Sequence, residues 1–348
     1  MEYLFDYLSF LAKAGTVVVA IVVTVAAVAA TGMRRHRHPP RGHVEVTRLN
    51  DRLRELGNAL AQAMSAPGDF KKRLKEEHKE IKRAQKKPSG RARVFVIAFK
   101  GDLEASGIGG LRNEVTAVLT TAREDDEVVV RIESGGGLVH AYGLGASQLS
   151  RIKARGIRLV AAIDKIAASG GYLMAAVADR ILAAPFALVG SIGVAAEVPN
   201  VHRLLKKNDV DFEVLTAGEY KRTLTVFGEN TEKGREKFIE ELEDIHALFK
   251  EFVGDNRPDV DLGLVATGEA WYGQRAIDRK LVDEIRTSDE YLMAACGERD
   301  VFEVKWVEPR KPVERLLEQW NAMLGDGPLA RFLGGRAAAG RLTPGGDA

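Results

Sequence analysis

Between Arg93 and Val194 short apolar runs alternate with stretches of helical period. The runs are "RVFVIAF" (Arg93 to Phe99), "EVVVRI" (Glu127 to Ile132), "IRLVAAI" (Ile157 to Ile163) and "DRILAA" (Asp179 to Ala184). Each is rich in β-formers and apolar at nearly every position, as a strand covered on both faces requires. Helical patterns fill the intervals before Arg123 and from Leu138 to Ala154, so the pattern predicts an α/β fold with a largely buried parallel sheet. "FEVLTA" (Phe212 to Ala217) reads as a further strand. From Thr231 to Val253 a long amphipathic helix is expected, with Phe238, Leu242, Ile245, Phe249 and Phe252 on one face that packs in the core or against a subunit. No internal repeat interrupts this order.

The ends depart from it. "AGTVVVAIVVTVAAVAATGM" (Ala14 to Met33) carries no charge over a length that, at about 1.5 Å per residue, spans a hydrocarbon core of roughly 30 Å. It reads as a single transmembrane helix. A cleaved signal peptide is the rival, but Glu2 and Asp6 precede the run where a leader carries basic residues. Residues 34–90 follow as a basic, helix-permissive spacer ending in "KKRLKEEHKEIKRAQKKPSG", read as a solvated helix, with attraction to anionic lipid as its functional rival. Past residue 300 a short stripe of Leu316, Leu317, Trp320 and Leu324 precedes a Gly- and Ala-rich tail expected to be disordered. The organisation is therefore an anchor (1–33), a spacer (34–90), a folded unit (91–300) and a C-terminal segment (301–348).

Composition narrows the chemistry. The 348 residues are 45% hydrophobic and 29% charged, enough for an enzyme's core. Lys and Arg number 51 against 49 Asp and Glu, and no aromatics interleave with the basic spacer, which argues against nucleic acid as a partner. One cysteine, Cys296, excludes an intrachain disulfide, and no HExxH or CxxC spacing points to a metal.

Two glycine-rich segments remain. In "AASGGYLMAA" Ser169 stands before two glycines and a helical run, where it is either an N-cap or a nucleophile. In the second reading the N–H of Gly170 is one oxyanion donor, and Gly136 or Gly137 of the "ESGGG" turn supplies another if that turn ends a neighbouring parallel strand. Alternatively these glycines serve only tight turns. For a base the candidates are His140 with Asp164, which no spacing supports, and Lys221. A lysine must fall from about 10.4 to roughly 7–8 to act as base, and Leu224, Val226, Phe227 and Arg222 around Lys221 push that way. Sequence alone favours an ordinary surface lysine at that position.

The motifs "ESGGGLVHAYG", "DKIAASGGYLMA", "APFALVGSIGV", "TAGEYKRTLTVFGENTEKGREKF" and "ATGEAWYGQRAIDRKLVDEI" together resemble the signal peptide peptidase A family of membrane-anchored serine peptidases, in its SohB branch. The resemblance implies a Clp-protease/crotonase-like α/β fold and a Ser/Lys dyad. Ser169 would be the nucleophile, Lys221 the general base and Ser191 the hydroxyl that positions the lysine, with Gly170 and Gly136 at the oxyanion positions. It also implies a homo-oligomeric ring that joins serine and lysine across subunits, no cofactor, and released signal peptides or other unfolded segments as substrates. Two positions depart from the family pattern: Gly135 replaces a proline, and Lys280 stands where glycine is common, at a cost of roughly 1 kcal/mol if its backbone is left-handed. An inner-membrane location follows, but its side does not. Arg34, Arg35, Arg37 and Arg41 favour a cytoplasmic catalytic unit, whereas the family faces the periplasm. The rival functions are a catalytically weak scaffolding ring, suggested by Gly135 and the basic spacer, and an acyl-CoA enzyme.

Overall fold

A computed structural model describes residues 6–20, 42–65, 67–85 and 90–308. Its main compact unit, Val44–Trp306, is built on a seven-stranded sheet. Strands β2 (Arg93–Lys100), β3 (Glu127–Glu133), β4 (Arg158–Ile163) and β6 (Arg180–Ala183) run parallel through its centre, where the four apolar runs predicted them. These strands are apolar at successive positions because alternate side chains enter two different cores. Phe95, Ile97, Val128, Val130, Leu159 and Ile181 face one core, beneath helices α3 (Ile108–Thr121) and α4 (Val139–Lys153). Val94, Val96, Val129, Val160 and Leu182 face the other, with Leu292 of α10 (Ser288–Glu298).

Strand β10 (Asp300–Val307) lies between β2 and an edge strand, β1 (His43–Arg48). The sheet thus extends past residue 300, and the polar stretch after His43 begins as a strand before turning into helices α1 (Leu49–Met64) and α2 (Pro67–Gln85). Asn50 fastens that junction: its amide donates to the Cys296 and Arg299 carbonyls, and its oxygen accepts from Val301 N–H. β9 (Glu284–Ile285) pairs with β6 at the opposite edge.

A second sheet of three short strands carries the site. β5 (Ile166–Ala168) pairs parallel with β7 (Leu188–Gly190), which pairs antiparallel with β8 (Ala270–Tyr272). β5 runs into helix α5 (Gly170–Ala176), all seven residues of which are buried. Beyond β7 come α6 (His202–Lys207), α7 (Glu232–Asn256), α8 (Leu262–Val265) and α9 (Gly273–Ala276). Thr231 caps α7, its hydroxyl accepting from Gly234 N–H. The expected strand at Phe212–Ala217 does not form. Among the described residues no strand pairs with that segment, so a β conformation gains no ladder hydrogen bonds there, and Phe212, Val214 and Leu215 stay exposed. Lys280 is left-handed at φ 59°, the conformation that makes glycine the less costly residue there.

Among the described residues no helix is long and apolar enough to cross a membrane. Residues 6–20 are helical, but the rest of the expected span, 21–33, lies outside the described residues, as does the C-terminal segment past residue 308.

Candidate active site

The two candidate serines leave adjacent strands at the same level. In the β5–β7 register Ala168 lies opposite Gly190, so Ser169 and Ser191 are the next residues on either side. Ser169 N–H donates to the Gly190 carbonyl at 2.8 Å, and Ser191 N–H to the Glu269 carbonyl at 2.7 Å. Both serines have positive φ, 51° and 53°. A non-glycine residue held there costs on the order of 1–3 kcal/mol, and such residues gather at functional sites. At Ser169 ψ is −120°, and the side chain makes no capping hydrogen bond to α5. The N-cap role that its sequence position permits is not realised, and the half-buried hydroxyl is left for other work.

The "ESGGG" turn closes over this serine. Ser134 pairs with the strand that precedes the nucleophile, its N–H donating to the Ile166 carbonyl at 2.9 Å and its carbonyl accepting from Ala168 N–H at 3.0 Å. Gly136 (φ 92°) then passes so close that a Cβ on it would lie 2.7 Å from Ser169 Cβ and 2.8 Å from Gly170 N. A Cβ on Gly170 would lie 2.4 Å from Cγ of Tyr142, a fully buried ring. Side chains are absent from these two positions because two loops and an aromatic ring meet there. Gly136 N–H donates to Ser134 Oγ at 3.1 Å, while Gly137 and Gly170 N–H have no acceptor among the described residues.

Ser169 stands where two cavities meet. One, of about 450 Å³, is bounded by Gly170, Leu173, Val194 and the Ile245, Leu248, Phe249 and Phe252 face of α7. The other, of about 750 Å³, runs past Gly136, Gly137, Ser191, Thr267 and His246. The first is walled largely by apolar side chains; the second adds hydroxyls and glycine backbone to apolar side chains such as Leu103, Leu138 and Val139. The amphipathic face of α7, expected to be core or subunit contact, therefore also walls the site. His246 Nε2 is buried with no hydrogen-bond partner among the described residues.

One chain brings together Ser169, Ser191, Gly136, Gly137 and Gly170, but not Lys221. That lysine is exposed on the irregular segment between α6 and α7 and lines neither cavity. Among the described residues no lysine, arginine or carboxylate lines them. The His140–Asp164 alternative has no geometry behind it: His140 is exposed, and Asp164 accepts from Ser288 N–H at 2.7 Å and Ser288 Oγ at 2.5 Å. No cluster of metal-binding type occurs among the described residues. His246 escaped the sequence reading because nothing local marks it, and the α7 face was read only as core or subunit contact. Ser134 and Tyr142 both lay inside a quoted motif, yet only their contacts single them out.

Residues 2–149 match the description Peptidase family S49 N-terminal, and residues 151–301 match Peptidase family S49. A protein of Haemophilus influenzae named Probable protease SohB is 46% identical over 317 residues, 88% of this chain and 89% of that one. Proteins of the same name from Buchnera aphidicola are 42% identical over 315 residues (90% and 93%) and 41% identical over 308 residues (84% and 100%). Among solved structures, a mutant of the 1510-N membrane-bound stomatin-specific protease aligns over 59% of this chain and 84% of its own at 12% identity. Its TM-score of 0.37 is too low to bear on the site.

Proposed function

The chain belongs to peptidase family S49, and from that premise we propose that it is a serine endopeptidase with Ser169 as nucleophile and Lys221 as general base. The observation that carries the proposal is the setting of Ser169: its side chain caps no helix, its φ is positive, two glycine backbones press on it, and it stands where the cavity walled by α7 meets the one lined by the glycine turn and Ser191. A peptide laid through the cavities puts an apolar side chain against Leu173, Leu248 and Phe249 and its carbonyl beside Ser169. Lys221 takes the Ser169 proton as Oγ bonds to the carbonyl carbon. The carbonyl π pair moves to oxygen, which accepts from Gly170 N–H and Gly137 N–H, since Gly136 N–H is already given to Ser134 Oγ. On collapse the C–N bond breaks and the lysine returns the proton to the departing amine; water, deprotonated by the same lysine, then frees the acyl group from Ser169.

Lys221 reaches the serine of a neighbouring copy in a ring, as the family resemblance implies. Its exposure and its absence from its own chain's cavities support this. Ser191, level with Ser169 across the β5–β7 pair, holds the incoming amine. The implied Clp-protease/crotonase-like fold, the anchor at Ala14–Met33 and unfolded or signal-peptide substrates complete the reading.

The test is hydrolysis of a fluorogenic signal-peptide-like substrate by the detergent-solubilised full chain. Ser169→Ala and Lys221→Ala are each expected to abolish turnover, and a reassembled mixture of the two variants to regain part of it. Full turnover by either variant alone sinks the dyad. Failure of a mixture shown to contain mixed rings sinks the sharing between subunits.

A further inference from the structure

This inference rests on the reading of Ser169 as the nucleophile. The hydroxyl of Ser134, 2% exposed, and the phenol of Tyr142, fully buried, stand 2.5 Å apart. Distance alone leaves the donor open, but counting protons settles it. Tyr142 has one hydroxyl proton, and the Asp102 carbonyl, which can only accept, lies 2.7 Å from that oxygen. The phenol proton therefore goes to Asp102. Ser134 must in turn give its proton to the Tyr142 oxygen, which leaves the Ser134 lone pairs for Gly136 N–H at 3.1 Å. The result is a one-way relay from Gly136 N–H through Ser134 O–H and Tyr142 O–H to the Asp102 carbonyl. Burial pushes the Tyr142 phenol above its ordinary range, the Ser134 hydrogen bond opposing, so the relay keeps its proton at working pH.

The relay ends on backbone that touches the nucleophile. Gly136 packs on Ser169 and Gly170, the ring of Tyr142 packs on Gly170, and the backbone of Ser134 is paired to β5. Gly135 is exposed, has no positive φ, and its N–H has no acceptor among the described residues, so little but the Ser134 hydroxyl orients the peptide plane ahead of Gly136.

We propose that Ser134, oriented by Tyr142, is a positioning residue of the oxyanion site: by taking up Gly136 N–H it holds the glycine turn against the nucleophile so that the free N–H of Gly137 meets the developing charge without first being ordered. Its contribution falls on the transition state and not on peptide binding.

The experiment measures kcat, KM and inhibition by a peptide aldehyde, which forms a tetrahedral adduct on Ser169, for Ser134→Ala and Tyr142→Phe in the full chain. Thermal unfolding confirms folding. Each variant is expected to lower kcat about tenfold to a hundredfold, short of the 10²–10³ lost with a whole oxyanion donor, while KM stays within about twofold. Aldehyde affinity should fall by the same factor as kcat. The double variant should lose no more than the worse single one, since both break one relay. Gly135 has no positive φ, its N–H has no acceptor among the described residues, a Cβ there would lie 3.8 Å from Ile166 Cδ1, and Ser134 before it is paired as a strand residue. Gly135→Pro placed on Ser134→Ala should therefore recover about twofold to fivefold of kcat by ordering the turn covalently. Folded single variants with unchanged kcat, a rise confined to KM, or no recovery from the proline would overturn the proposal. Should hydrolysis survive Ser169→Ala, the nucleophile reading fails instead, and the two failures are distinct.

Discussion

Gly170→Ala probes how tightly the nucleophile's neighbour is held. The added methyl carbon would stand 2.4 Å from Tyr142 Cγ and 2.8 Å from its Cβ and Cδ2, where an ordinary contact is about 3.4 Å or more. About 1 Å of movement is needed to relieve it. The ring is poorly placed to supply it, being fully buried and hydrogen-bonded through its hydroxyl to Asp102 and Ser134. The backbone of Ser169–Gly170 must give way, and with it the Gly170 N–H. Overpacking of this kind costs about 1–3 kcal/mol, which at roughly 2–4 °C per kcal/mol lowers the melting temperature by about 2–12 °C. A misplacement near 1 Å at reacting groups costs on the order of 10²-fold, so turnover should fall by that much. Scanning calorimetry and kcat for the fluorogenic substrate give both numbers. Adding Tyr142→Leu removes the ring, and the double variant should be more stable than the sum of the single losses by about 1 kcal/mol. Wild-type stability and kcat in Gly170→Ala, or strict additivity of the pair, would refute the geometry.

Two other outcomes follow from the structure. Leu248, 58% exposed in one chain, walls the apolar cavity, so Leu248→Ala should reduce kcat/KM several-fold for substrates with a large apolar side chain and leave alanine-bearing ones unchanged, with folding stability within about 0.5 kcal/mol; equal effects on both substrates would dissociate that wall from specificity. Asp126 is buried just ahead of β3, and although burial alone raises its carboxyl, hydrogen bonds from the Arg93 side chain, Arg123 N–H and Arg93 N–H bring it net below the ordinary carboxylate range. A carboxyl lowered in the folded state stabilises above its unfolded value and loses that contribution as pH falls. Asp126→Asn should thus cost about 1–3 kcal/mol at pH 7, and the gap to wild type should narrow below pH of about 4. A gap independent of pH in urea unfolding would contradict it.

The four central strands were legible because both faces of a parallel sheet are covered, which writes an unbroken apolar run into each strand. The glycine turn and Ser169 stood out for a related reason: glycines cluster where backbones approach. The same local reading placed a strand at Phe212–Ala217 that has no partner among the described residues, and it overlooked β1 and β10, neighbours in the sheet although about 250 positions apart in the chain.

Sequence by itself determined the residue types, the strand and helix periods, the two glycine segments and the family. Tertiary structure alone decided that Ser169 is uncapped and level with Ser191, that α7 walls the cavity and that Lys221 stands outside it. It alone showed that Gly136 N–H is held through Ser134 and Tyr142 by Asp102. The physical reason is range. Period and turn chemistry are fixed by neighbours a few residues apart, whereas a hydrogen-bond relay spanning residues 102 to 142 exists only once the sheet has set their backbones side by side.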